Sequence, residues 1–344
     1  MSSDVRTRTE LNNDLLEGQF IVTRDAHIFE VKGSIHPPSR VVAYLRYVPT
    51  SDGDRCSVSG VRYKKVYSLS DREGYLRERH PEYLWYDEVY GRELQTVPLD
   101  HISRVLDPIT CLNAMKDKGD NATSLERASV RLSRVLVHGA NLNWSDIGLS
   151  GSQLAGLAAS GSDIDLVVYG TAPAKRVVSF LRSAGRVPGL SHYSGERLDH
   201  IVTSRWGIDA EWKPLLAAIE SKKVLQGVFE CCDFFIRNVK LRNELGYGYG
   251  DLLFKNLGVR SVKGVVVDDA ESIFTPCAYI VQCSQMSTLR QIVSYRGRFT
   301  EQVSNRATVV AQGRLESVTV TTTGEGFLQL VVGESPFDYL LPVG

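Results

Sequence analysis

The stretch IGLSGSQLAGLAASGSDIDLVVYG, from Ile147 to Gly170, decides how the rest of the chain can be interpreted. Its second half contains β-branched and aromatic residues bounded by two glycines, a pattern that predicts a strand. Side chains alternate along a strand, so Asp163 and Asp165 are expected on one face, with Ile164 on the other. Two carboxylates held side by side repel each other, and a positive group between them relieves that repulsion.

A divalent cation with oxygen ligands, Mg²⁺ or Mn²⁺, is the expected positive group, because Mg²⁺ is commonly held by one or two carboxylates and substrate phosphates. Gly151 allows the backbone to approach a ligand closely. Ser152, with the amides that open the next helix, is suited to holding a phosphate. Ser162, directly before the two aspartates, is a further candidate contact to a nucleotide. A phosphate-binding turn, a short helix and an Asp-x-Asp strand are the plan of a nucleotidyl-transfer site.

This pattern resembles the polymerase-beta-like nucleotidyltransferase superfamily. The resemblance implies that Gly151 and Ser152 hold a nucleoside triphosphate, and that Asp163 and Asp165 bind Mg²⁺. It also implies a third carboxylate on a later strand, which completes a two-metal site for attack of an acceptor hydroxyl on the α-phosphate. The segments HPPSRVVAYLRYVP (36–49) and YKKVYSL (63–69) further resemble uncharacterised archaeal proteins known only as predicted nucleotidyltransferases.

Several residues compete for the position of the third carboxylate. Asp233 is the first choice, because it lies within an apolar strand pattern where a charge is costly unless it is paired or metal-bound. Asp268 is the second choice, at the end of the apolar run VKGVVV, and Asp209 or Glu211 is the third. The sequence leaves this choice open.

Basic residues near the predicted site are candidates for phosphate contacts. Lys240 and Arg242 are predicted on one strand face, where they would neutralise triphosphate charge or line an acceptor groove; exposed strand charges are the alternative. The N-terminal segment adds basic and aromatic residues that would suit a polynucleotide surface, unless the aromatic ones form a core. They are Arg40, Arg46, Arg62, Lys64, Lys65, Tyr63, Tyr67, Trp85 and Tyr86.

The composition is that of a globular protein with several domains. The chain has 344 residues, and its 40 basic and 40 acidic residues give a net charge of zero, which argues against an extended basic nucleic-acid coat. No apolar run approaches the roughly 20 residues of a membrane span. The six cysteines form no CxxC motif, so we expect reduced thiols in a cytoplasmic protein.

The predicted fold class is α+β, with three units. Residues 1–118 form an N-terminal α+β unit with several strands. Residues 119–260 form the nucleotidyltransferase domain, a mixed sheet with helices, and its first helix opens at a capping box, Thr123 to Glu126. Residues 261–344 form a β-rich barrel or sandwich, with an OB-like binder among the options. A long helix is predicted between Ile208 and Leu225.

The expected function is transfer of a nucleoside monophosphate to an acceptor with release of pyrophosphate. The extra N- and C-terminal units favour an RNA end as the acceptor, because a small acceptor needs less surface. Nucleotidylation of a small molecule or a protein is one alternative. A non-catalytic nucleotide- or nucleic-acid-binding module is another, although two adjacent carboxylates are costly to keep in a dead site. The sequence leaves acceptor, base preference and oligomeric state open.

Overall fold

The computed structural model describes residues 15–183, 187–206 and 212–343. The described chain has three β-sheets and helices on and between them, which confirms the α+β class. The N-terminal sheet comprises β1 (Phe20–Thr23), β2 (Ile28–Val31), β3 (Arg40–Pro49), β4 (Arg55–Cys56), β5 (Arg62–Lys65), β6 (Leu84–Asp87), β7 (Arg92–Pro98) and β8 (Ile102–Leu106).

Local sequence signals explain this first sheet. Strands β1 and β2 pair antiparallel, and Ala26 in their turn has φ +65°, so this segment is a hairpin. Helix α1 (Leu69–Arg79) begins after Ser68, whose side chain accepts a hydrogen bond from the Asp71 amide, as expected of an N-cap serine. Leu76 of α1 is buried in the core of the sheet.

The central unit contains a mixed five-stranded sheet in the order β11-β12-β13-β10-β9. Strands β10 and β13 are parallel, and the other neighbours are antiparallel. Its elements are α2 (Pro108–Asp117), α3 (Ser124–Gly139), β9 (Ile147–Leu149), α4 (Gly151–Leu154), β10 (Ile164–Tyr169), α5 (Thr171–Ser183), β11 (Leu190–Ser191), α6 (Gly195–Trp206), α7 (Lys213–Glu220), β12 (Gln226–Phe229) and β13 (Cys232–Val239). The capping box between Thr123 and Glu126 at the start of α3 is confirmed.

Two predictions for the central unit were wrong in detail. The long helix expected from Ile208 is, within the described residues, only α7, which has Pro214 in its first turn. The run GVFECCDFFIRNVK is a hairpin, because Glu230 and Cys231 turn the chain with φ +47° and +69°. Strand β13 ends at Val239, so the two cations expected on one strand face, Lys240 and Arg242, lie beyond it.

The C-terminal unit is β-rich, as predicted. Its strands are β14 (Leu252–Asp268), β15 (Cys277–Gln282), β16 (Leu289–Ser294), β17 (Thr308–Val320), β18 (Gly326–Val331) and β19 (Tyr339–Pro342). They pair in the order β14-β15-β16-β18-β17-β19, and β14 also pairs with β17. The finer description as a barrel or sandwich stays a prediction. The predicted unit boundary at 260/261 falls inside β14.

The three units contact one another directly. The hairpin of β1 and β2 packs against Leu154 and Leu157, at and beyond the end of α4. The amide of Phe254, in β14, donates a hydrogen bond to the Val89 carbonyl of the N-terminal unit at 2.8 Å. The N-terminal unit therefore contacts both of the other units.

Because His36 is buried, the free energy of unfolding of this chain is expected to depend on pH. Its ring is buried, with Nδ1 accepting from the Val42 amide at 3.3 Å and Nε2 3.1 Å from the Leu15 carbonyl. Burial lowers its pKa to about 4. In the unfolded chain the pKa of a histidine is higher, about 6.5. The free energy of unfolding therefore decreases as the pH falls from 6.5 towards 4, and at pH 5 it is about 2 kcal/mol lower than at neutral pH.

The measurement is urea unfolding at pH 7.5 and pH 5, together with NMR of the histidine ring protons. We expect the His36 resonance to stay constant down to pH 5 in the folded protein. A His36 resonance that moves with a midpoint near 6.5 would contradict the prediction.

Candidate active site

Parallel pairing places the predicted carboxylates on one face of the central sheet. In the register of β10 and β13, Ile164 lies opposite Phe234 and Asp165 lies opposite Phe235. Asp163 and Asp233 each directly precede this first pair. Residues opposite each other on neighbouring strands share a face of the sheet, so Asp233 lies on the same face as Asp163 and Asp165. Ile164 is buried in the core on the other face, as the alternation predicts.

The turn at Gly151 is built against Asp165. The Ser150 amide donates to the main-chain carbonyl of Asp165 at 2.8 Å. Gly151 has φ +61°, and a Cβ at this position would lie 1.9 Å from Asp165 Oδ2. Glycine is therefore required here twice, for the left-handed backbone and for the space that the carboxylate occupies. This close approach holds the Asp165 side chain at the start of α4.

The two predicted serine contacts have different surroundings. Ser152 is buried, and within the described part of the chain its Oγ has no hydrogen-bond partner, which is unusual for a buried hydroxyl. Ser162 Oγ accepts from the Ala159 amide at 2.9 Å. Ser162 thus stabilises the turn that leads into Asp163.

The electrostatics of the two aspartates differ sharply. Asp163 is exposed, whereas Asp165 is half-buried. Burial, followed by the charge of Asp163, raises the pKa of Asp165 to about 7, against the lowering effect of Arg237 and Arg46. A carboxyl that resists ionisation beside a second carboxylate is the condition that a bound cation relieves. The donor atoms available here are oxygens, which suit Mg²⁺ or Mn²⁺.

A network of opposite charges lies behind Asp165, where the N-terminal sheet meets the central sheet. Arg237 Nη1 pairs with Glu17 at 3.2 Å and also with Glu30. Lys32 Nζ reaches the same two carboxylates at 3.2 and 3.0 Å, and Arg46 Nε lies 3.2 Å from Glu30. Glu17 and Glu30 are buried, so the cations compensate charges that would otherwise be costly.

Asp233 has two neighbours that the sequence did not indicate. Arg197 Nη1 lies 3.4 Å from Asp233 Oδ1, although that oxygen accepts no hydrogen bond from the described residues. Tyr193 is buried, and its pKa is raised by burial and by the charges of Asp233 and Asp163. Both residues come from the polar segment SHYSGER, whose sequence gives no signal for a site.

The remaining predicted site residues lie elsewhere. Lys240 follows the far end of β13, where its Nζ pairs with Glu271 at 2.5 Å. It lines a cavity of about 460 Å³ between the N- and C-terminal units and is not with the aspartates. Asp268 ends β14 and accepts from the Ala270 amide at 2.8 Å. Asp209 and Glu211 fall outside the described residues.

Cations from the N-terminal unit face the aspartates. Lys65 carries a pKa that burial lowers, while the charges of Asp163 and Asp165 act to raise it. Arg55 Nη1 donates to the Leu157 carbonyl at 2.7 Å, which anchors this surface to the central unit. Of the aromatic residues predicted to stack, Tyr63 is buried. The exposed ones are Tyr67, Trp85 and Tyr86.

A second cluster of potential metal ligands lies in the N-terminal unit. One ligand atom each from Asp25, His27 and His80 lies within 4.8 Å of the others. None of the three was predicted, because His80 lies 53 residues beyond His27 in the sequence. This group has the residue types of a metal site.

Comparison with known proteins finds a relative whose activity is not characterised. The chain is 27% identical over 321 residues to an uncharacterised protein of Methanocaldococcus jannaschii, covering 91% of this chain and 94% of that protein. No protein-family model and no solved structure matches the chain. Among the described helices, none has the length and apolar character that crossing a membrane requires.

Proposed function

We propose that this chain is a metal-dependent nucleotidyltransferase, which moves a nucleoside monophosphate from a triphosphate to an acceptor hydroxyl and releases pyrophosphate. The observation that carries the proposal is the register of β10 and β13, which places Asp163, Asp165 and Asp233 on one face. The turn at Gly151 packs on Asp165, and the proposed nucleotide phosphates would bind beside this turn.

The three aspartates would hold Mg²⁺ or Mn²⁺. When bound, the metal would neutralise phosphate charge and lower the pKa of the attacking hydroxyl. The raised pKa of Asp165, about 7, supports this assignment because a cation would favour its ionised form. The charges of Arg237 and Arg46 lower the pKa of Asp165, so they also favour its ionised form.

The N-terminal unit would supply positive charge to the nucleotide. The charges of both Asp163 and Asp165 act on the pKa of Lys65, so this cation lies within electrostatic reach of the proposed triphosphate position. Ser152 and the amides at the Gly151 turn would position the phosphates. Catalysis by such a site rests on positioning and charge neutralisation.

An RNA end is the acceptor that we propose. The support is the pairing of cations with aromatic rings on the N-terminal surface: Arg40 lies 4.9 Å from the Trp85 ring centroid, and Lys65 lies 5.0 Å from that of Tyr67. Trp85 and Tyr67 are 45% and 66% exposed. Exposed rings beside cations bind single-stranded nucleic acid by stacking and by charge.

The experiment is incubation of the full chain with each α-labelled nucleoside triphosphate, Mg²⁺ or Mn²⁺, and total cellular RNA. We expect label to enter RNA with the wild type and not with Asp163→Ala/Asp165→Ala. Label found only on protein or on small molecules would overturn the RNA acceptor and keep the transfer chemistry. Nucleotide binding without any variant-sensitive transfer would overturn the enzymatic proposal.

A further inference from the structure

The strongest feature that the proposed activity does not use is the cluster of Asp25, His27 and His80. Asp25 and His27 belong to the turn between β1 and β2, and His80 is the residue that caps the C-terminal end of α1. The hairpin and the helix are joined here by side chains, with the two imidazole rings in an edge contact at 4.3 Å between centroids.

The ligand atoms converge on one oxygen. His27 Nδ1 lies 2.9 Å from Asp25 Oδ2, and His80 Nδ1 lies 3.5 Å from the same atom. A tetrahedral ion with ligand bonds of about 2.0–2.1 Å holds its ligand atoms about 3.3 Å apart. These two separations bracket that value, and one ligand atom of each residue lies within 4.8 Å of the others, so side-chain rotation could bring all three onto one ion.

The Nδ1 atom of His27 is directed at the Asp25 carboxylate. Its side chain is 4% exposed, Nδ1 lies 2.9 Å from Asp25 Oδ2, and no well-aligned hydrogen bond to Nδ1 forms within the described part of the chain. Its other nitrogen, Nε2, lies 2.9 Å from the Tyr75 hydroxyl. A proton on Nε2 leaves the Nδ1 lone pair directed into the cluster. Metal-binding histidines are commonly fixed in this way by a partner on the second nitrogen.

The carboxylate is also held from outside the cluster. Asp25 Oδ1 accepts a hydrogen bond from the Tyr83 hydroxyl at 2.9 Å and another from Thr23. These hydrogen bonds engage Oδ1 and leave Oδ2 free to face the two imidazole rings. Glu82 Oε1, 3.2 Å from His80 Nδ1, is the nearest candidate for a fourth ligand.

We infer that Asp25, His27 and His80 bind one Zn²⁺ ion, separate from the metal proposed at Asp163 and Asp165. Two imidazoles with carboxylate oxygens suit zinc better than the magnesium expected at an all-oxygen site. The ion would fasten α1 to the β1–β2 hairpin. That hairpin packs on Leu154 and Leu157, so the ion would stabilise the cover of the proposed active site.

The experiment is a titration of the chelator-treated full chain with Zn²⁺, and with Co²⁺ as a spectroscopic probe, in excess Mg²⁺ that occupies the carboxylate site. We expect one equivalent of Zn²⁺ to bind, a higher unfolding temperature, and visible Co²⁺ absorption typical of a tetrahedral site. His80→Gln should weaken binding at least about tenfold. Tyr75→Phe, which leaves all ligands in place, should weaken it by roughly tenfold as a lost outer partner.

His101→Gln is the matched control, because His101 contacts Tyr83 at 3.4 Å and is not one of the three ligands. It should bind Zn²⁺ like the wild type. Absence of stoichiometric binding by the wild type would overturn the inference. Binding that persists unchanged in both His80→Gln and Asp25→Asn would also overturn it, and would assign the ion to another place.

Discussion

Asp233→Asn is expected to lower nucleotidyl transfer by about 100-fold or more, whereas Asp268→Asn leaves it near the wild-type rate. The reason is position: Asp233 shares a sheet face with Asp163 and Asp165, whereas Asp268 ends β14 of another sheet. A carboxylate that holds a catalytic cation contributes to transition-state stabilisation. A 100-fold lower rate corresponds to a loss of about 2.7 kcal/mol of this stabilisation.

The Asp233 variant should still fold. The Asp233 side chain is 38% exposed and its ion pair with Arg197 is 3.4 Å long, and exposed pairs of this kind contribute little to stability. The measurement is the initial rate at saturating triphosphate with Mg²⁺, beside the unfolding temperature of each variant. A fully active Asp233→Asn, or an inactive Asp268→Asn of normal stability, would assign the third ligand elsewhere.

Gly151→Ala is expected to abolish transfer and to destabilise the chain more than the same change at Gly156. Both glycines have left-handed backbone, with φ +61° and +68°, so both substitutions carry a backbone cost of about 1–2 kcal/mol. The two positions differ in the room that they leave for a Cβ atom. A Cβ at Gly151 meets Asp165 Oδ2 at 1.9 Å, whereas a Cβ at Gly156 meets nothing within 4 Å.

The comparison therefore separates backbone strain from displacement of the carboxylate. Urea unfolding gives the stability of each variant, and the transfer assay gives its activity. Gly156→Ala should lose some stability and keep its activity. Equal stability losses at both positions, with transfer intact in Gly151→Ala, would show that Asp165 is not held by this turn.

The features that the sequence predicted well depend on nearby residues. The Asp-x-Asp strand follows from its β-branched and aromatic residues between two glycines, and the helix after Thr123 follows from its capping box. The turn at Glu230 and Cys231 was missed because non-glycine residues adopt positive φ there, which composition does not signal. The placement of Lys240 failed for another reason: β13 ends at Val239, which pairs with the last residue of β10, Tyr169.

The features that the sequence could not predict depend on residues far apart in the chain. The choice among carboxylates could not be made from composition, because strand register decides which side chains share a face. The cluster of Asp25, His27 and His80 joins a hairpin to a helix end. Tyr193 and Arg197 approach Asp233 from a segment whose residue types indicate only a polar surface.

The pairing of Arg237 with Glu17 and Glu30 has a consequence for how this protein can diverge. The cation belongs to the central sheet, and its two partners belong to the beginning of the chain. Loss of Arg237 leaves Glu17 with Lys32 alone and Glu30 with Lys32 and Arg46, so the buried carboxylates keep only part of their compensation and the chain is destabilised. These positions are therefore expected to covary among descendants, so recombination that exchanges the central segment alone is selected against.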